Sequence, residues 1–284
     1  MISIFIIIAL IAVTIGAYTD IKTLEVPDWL NYALIATGIA GNLIYWIFYS
    51  DSGYIIRCVL GLGLSLIIGL LMYYTGQWGG GDSKMLFGLG ALLGLEYDSF
   101  GLFSKFLINM IFAGALYGMV FIAVMAFKNK KKILQNLKKQ RQTHRLYIGI
   151  IAIVALIIIN FLSITPELKI LLCLLILIMY FMNYLLIFVR VVEKVSMVKN
   201  IDPEKLTEGD WIVDEIKIDG KYITGPKDLG IEKKKIEQLI KFKQEGKINK
   251  IKVKYGIPFV PSFFIALVYT VITEKSVFGY FIFY

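Results

Sequence analysis

The chain of 284 residues is 58% hydrophobic and only 18% charged, with a mean hydropathy of +0.72. That composition excludes an ordinary water-soluble domain and places the chain among membrane proteins. The formal net charge is +9, but Lys and Arg collect between apolar runs. They are not spread along an exposed helix or aromatic-rich sheet, so the excess sets orientation in a bilayer and does not point to nucleic acid.

In chain order, Met1–Ser3 carry no basic side chain and no small-x-small site precedes Asp20, so the first apolar run is expected to stay as a span. Apolar runs predict spans at Ile2–Thr19, Trp29–Tyr49, Tyr54–Tyr74, Lys84–Tyr97, Leu102–Phe127, Leu146–Ile164, Leu168–Val189 and Ile257–Ile272. The short fourth run fits a helix that starts below the interface from a loop lining a polar cavity. Cys58 and Cys173 lie far apart inside apolar runs, so neither a disulfide framework nor a zinc site is indicated, and both read as small buried hydrophobes.

The segment Lys128–Arg145 holds Lys130, Lys131, Lys132, Lys138, Lys139 and Arg141 and no acidic residue, which puts it in the cytoplasm. Parity then makes residues 20–28, 75–83 and 190–256 cytoplasmic, with Asp51, Asp98, Pro166 and Glu167 outside. The Lys-rich 190–256 region reaches the same side independently. Within it, Trp211–Ile218 alternates as a strand, Asp219–Gly220 is a hairpin turn, Lys221–Gly225 returns, a Lys-rich helix runs over Glu232–Glu245 until Gly246, and Ile248–Tyr255 alternates again.

The predicted fold is an all-α polytopic membrane protein of about eight transmembrane helices with a small α+β cytoplasmic insert. Residues 1–127 form the membrane core, 128–145 a basic loop, 146–189 a transmembrane hairpin, 190–256 the insert, and 257–284 the last span and tail.

Ionisable residues at or inside a membrane boundary are costly and need an account. Asp20 closes the first span. Asp82 follows Gly79, Gly80 and Gly81 and opens the fourth. Two carboxylates sharing a proton can hydrolyse a peptide with no metal and no cofactor, one taking a proton from water and the other donating to the carbonyl. The same pair could instead couple a cation in a transporter or channel, or simply cap helices. The sequence has no HExxH pattern and no GxSxG elbow, and its single histidine, His144, lies in the basic segment.

The run Gly79-Gly80-Gly81-Asp82 with Lys84 behind it resembles the GxGD element of the type IV prepilin and archaeal preflagellin peptidase family. The stretch DIKTLEVPDWLN, with Asp20, Pro27 and Asp28, resembles that family's first aspartate motif. The stretch GIPFVPSFFIAL, with Pro258 and Pro261, resembles the entry to its last span in archaeal members. Presenilin-type enzymes, which also use GxGD, place their first aspartate in a Tyr-Asp pair, whereas Thr19 precedes Asp20 here.

The resemblance implies an aspartyl endopeptidase with Asp20 and Asp82 as catalytic groups. It would remove short basic leaders from pilin-like or archaellin precursors at the cytoplasmic face, with lipids and precursors as partners and no nucleic acid. Gly79, Gly80 and Gly81 are expected to form a permissive active-site loop that lets the carboxyls stand apart until substrate binds. Lys84, Pro27, Asp28, Pro258 and Pro261 are supporting positions. Asp20, closing a helix at the negative end of its dipole, is expected to hold the shared proton, with Asp82 ionised at a helix start.

Overall fold

Apolar segments fold as helices because a helix pairs its backbone groups within itself, which hydrocarbon demands. The computed structural model describes residues 4–96, 100–139 and 142–277. Tyr97, Asp98 and Arg141 lie outside the described residues. Ten α-helices and five strands follow in order: α1 Ile4–Thr23, α2 Asp28–Tyr49, α3 Gly53–Tyr74, α4 Gly80–Leu93, α5 Leu102–Lys128, α6 Lys130–Lys139, α7 Gln142–Phe161 and α8 Pro166–Ser196. The strand β1 is Val198–Ile201, β2 Trp211–Ile212, β3 Ile216–Ile218 and β4 Lys221–Thr224. Then come α9 Lys233–Gln244, β5 Ile251–Lys254 and α10 Val260–Thr273.

Among the described residues, five helices are long and apolar enough to cross a bilayer: α1, α2, α3, α5 and α8. The expected count of eight is therefore not reached by length alone. The helices α4 and α10 have 14 residues each, about 21 Å, against a hydrocarbon core of about 30 Å. Their surroundings explain how short helices persist there. Met85, Leu86, Leu89 and Leu92 are fully buried, because α4 is enclosed by α1, α2, α3 and α5, so its environment is protein and not lipid.

Small residues let α4 sit that deep. A Cβ on Gly38 of α2 would lie 2.7 Å from the Leu92 backbone N, and the buried Asn42 donates from Nδ2 to the Ala91 carbonyl at 3.1 Å. On the other flank, Gly61 of α3 meets the Gly90 carbonyl. The helix α10 wedges between α1 and α5, where buried Asn109 donates to Thr270 Oγ1 at 2.9 Å.

The 128–145 segment differs from the expected loop. It contains the helix α6, whose Ile133 is buried against Val191 and Val192 of α8. The helix α8 itself runs to Ser196, past the expected end at Val189, because a helix leaving the membrane continues as long as one face still finds apolar contact.

In the insert, β1, β5 and β2 form an antiparallel sheet in that order, and β3 and β4 form a separate hairpin. The turn between them has Asp219 at φ 53° and Gly220 at φ 77°, the paired positive values of a type I′ turn. Trp211–Ile218 is thus two strands in two sheets, not one. Leu206, Ile212, Ile231, Ile236, Leu239, Ile251 and Val253 give the insert its own core.

Replacing Gly38 with Leu should separate α2 from α4, because backbone atoms cannot yield as a side chain tip can. The expected loss is at least about 1–3 kcal/mol, read as a lower thermal midpoint in detergent micelles. An unchanged midpoint would mean that the helices are not in contact at Gly38.

Candidate active site

Asp20 and Asp82 reach one level of the bundle because of where α1 and α4 touch. A Cβ on Gly16 would meet Met85 Cε at 2.6 Å, so Gly16 and Met85 lie side by side. One turn onward in α1 is Asp20. One turn back in the oppositely running α4 is Asp82.

Asp20 is 5% exposed and would be costly there without partners. Its Oδ2 accepts the Val260 N–H at 2.9 Å, and the Phe259 N–H is a second backbone donor. These belong to the opening turn of α10, whose N–H groups have no partner within their own helix. Asp82 stands at the third position of α4, and its Oδ2 accepts the Gly79 N–H at 3.1 Å, which is half of a capping box. Ser83 Oγ fixes the same turn by donating to the Gly69 carbonyl at 2.9 Å.

This geometry removes the basis for assigning the shared proton to Asp20. The helix α1 continues to Thr23, so Asp20 does not close it, and its carboxylate faces the N-terminus of another helix. Both carboxylates therefore face positive helix ends.

The glycine run also differs from a loop. Gly79 is the N-cap of α4 at φ −72°, and Gly80 and Gly81 form its first turn. None of the three has positive φ. What Gly81 supplies is close approach, since a Cβ there would lie 3.1 Å from Val26 Cβ and 3.3 Å from the Val26 N. The connection from α3 is residues 75–79, in which the N–H of Gln77 donates to the Met72 carbonyl at 2.9 Å. Trp78 is buried, with ring centroids 5.5 Å from Phe259 and 5.4 Å from Phe263.

Pro27 is the N-cap of α2 and Asp28 its first residue. Lys84 Nζ pairs with Asp28 Oδ1 at 2.6 Å, their side chains 32% and 62% exposed, and lies over the Tyr32 ring at 5.3 Å. Solvent limits such a pair to about 0.2–1 kcal/mol, so it holds the start of α2 beside α4 only lightly. Glu25 is exposed. Pro258 precedes α10, and Pro261 is its second residue.

Sequence reasoning did not single out Asn31, which is fully buried and donates from Nδ2 to the Gly81 carbonyl at 3.3 Å. It also missed the Val260 N–H, because a backbone donor leaves no mark in residue type. The pattern Pro-x-x-Pro at 258–261 was the available signal, marking a fixed helix start. Among the described residues, no three His, Cys, Asp or Glu side chains cluster so as to hold a metal.

Residues 5–126 match the model of the type IV leader peptidase family. The chain is 30% identical over 87 residues to a preflagellin peptidase of Methanocaldococcus jannaschii, covering 31% of this chain and 37% of that protein. It is also 30% identical over 137 residues to a preflagellin peptidase of Methanococcus maripaludis, covering 43% of this chain and 57% of that protein. The match spans less than two thirds of either relative. No solved structure matches.

The two neighbouring glycines should respond differently to substitution. A Cβ at Gly80 would meet only Tyr73 Cε2 at 3.8 Å, so Gly80→Ala should be neutral or stabilise the helix by up to about 1 kcal/mol. Gly81→Val should force residues 24–27 off α4 and cost about 1–3 kcal/mol. Thermal unfolding of both variants in micelles checks this, and equal effects would contradict the placement of Val26.

Proposed function

We propose that this chain, whose residues 5–126 match the type IV leader peptidase family, is a membrane-embedded aspartyl endopeptidase. It removes a short basic leader from pilin-like or archaellin precursors at the cytoplasmic membrane face. The observation that carries the reading is the pair of carboxylates, Asp20 and Asp82, brought to one level of antiparallel helices and each anchored by a backbone N–H.

With one proton between them, one carboxylate removes a proton from water as it attacks the scissile carbonyl. The other donates its proton to the carbonyl oxygen, and return of a proton to the departing amine completes hydrolysis. The titration belongs to the pair and not to either residue. No step calls on a metal or cofactor.

The orientation rests on charge. The helix α6, with Lys130, Lys131, Lys132 and Lys138, packs on the end of α8 that leads directly into the Lys-rich insert. By the positive-inside rule that end is cytoplasmic. A precursor whose apolar helix lies in the bilayer would present its leader junction at this surface, where exposed Glu25 is available to a basic leader.

Asp20→Asn and Asp82→Asn should each lower cleavage of a leader-bearing precursor by at least about a thousandfold, while a chelator has no effect. Substantial activity in either variant, or loss of activity on chelation, would contradict the aspartyl mechanism. Cation flux in vesicles that depends on both residues would favour the transport alternative. For orientation, Asn136→Cys in α6 should react with a membrane-impermeant thiol reagent only from the cytoplasmic side. Labelling only from outside would reverse the topology and move the site with it.

A further inference from the structure

The insert meets the helical core at Gly76, in the connection that leads to Asp82. Trp211 at the start of β2 lays the far edge of its indole on Gly76, where a Cβ would lie 3.0 Å from Cη2 and 3.4 Å from Cζ3. Gly76 has φ 69° and makes the left-handed exit from α3. Three residues later, the Gly79 N–H holds the Asp82 carboxylate. Trp78 between them packs on Phe259 and Phe263, so residues 76–79 are held by the insert's indole at one point and by α10 rings at another.

One strand references both carboxylates. On one side, β5 pairs with β2, placing Trp211 opposite Lys254. It then runs through Gly256 and Pro258 to Val260, whose N–H holds Asp20. The strand is itself tied down, since the Tyr255 N–H donates to the Met197 carbonyl at 2.9 Å and Lys254 pairs with Glu193 of α8 at 3.1 Å.

We propose that Trp211 is a positioning residue for Asp82, through which the insert sets the 76–79 connection in register with the β5–α10 segment that holds Asp20. The insert is then part of the catalytic geometry and not a separate appendage. The proposal deepens the peptidase reading and rests on it for its kinetic consequence, but not for the mechanical coupling.

The test compares the full-length protein in micelles with Trp211→Phe, which keeps an aromatic residue in β2 but lacks the ring edge that reaches Gly76. Hydrogen exchange is measured alongside cleavage of a synthetic precursor carrying a basic leader ahead of an apolar helix. Amides of residues 76–82 should exchange roughly tenfold faster, while those of residues 251–254 keep their protection. The kcat should fall roughly tenfold with KM unchanged.

Unchanged exchange at 76–82 overturns the proposal whether or not the chain is a peptidase. Loss of protection at 251–254 also overturns it, because Trp211 would then hold the insert together instead of placing the connection. So does faster exchange at 76–82 with kcat intact. Faster exchange in a chain that leaves the precursor uncut supports the coupling and overturns the peptidase reading alone.

Discussion

The hydrogen bond from the Val260 N–H to the Asp20 carboxylate joins residues 240 positions apart, and much of the architecture follows from it. A carboxylate as buried as that of Asp20 needs donors. The opening turn of a helix supplies them without placing another charge in the bundle. Meeting that need fixes α10 against α1, and α10 then wedges against α5. Because β5 ends only a few residues earlier, the same bond also limits where the insert can stand.

The region matching the leader peptidase family ends at residue 126, so both carboxylates lie inside it and the donor to Asp20 lies outside. The proposed site thus draws on residues beyond the family-matched part of the chain. Each carboxylate faces the start of a helix, Asp82 accepting the Gly79 N–H of its own helix and Asp20 the Val260 and Phe259 N–H groups of a distant one. With both carboxylates at helix starts, a difference between helix ends gives no ground for assigning the proton of the proposed dyad to one of them.

What could be read in the sequence was whatever is encoded by side-chain type over short range. Long apolar runs marked α1, α2, α3, α5 and α8. Asp219 and Gly220 marked a turn that the structure contains, and Gly246 stopped α9, where it takes φ 73°. Asp20 and Asp82 stood out because charge in an apolar context has few ordinary explanations.

What escaped was relational. The helix α6 hides among lysines, although Ile133 and Leu137 keep helical spacing. Trp211–Ile218 alternates like one strand, yet its halves pair with different partners, and nothing local announces the switch. The run of three glycines suggested freedom. The structure uses Gly81 for contact with Val26, and in the connection from α3 to α4 the positive φ falls on Gly76, outside the motif. Neither the contact of Trp211 with Gly76 nor the donors to Asp20 could be read locally, because each joins segments more than 100 residues apart.

The central claim is that Asp20 and Asp82 act as one titrating pair on a water molecule. The pH dependence of kcat/KM for the intact protein on a leader-bearing precursor tests it most directly. The account requires a bell with two limbs, because activity needs one proton on the pair and fails when there are two or none. A profile with a single ionisation, or one flat across the acidic and neutral range, would contradict it.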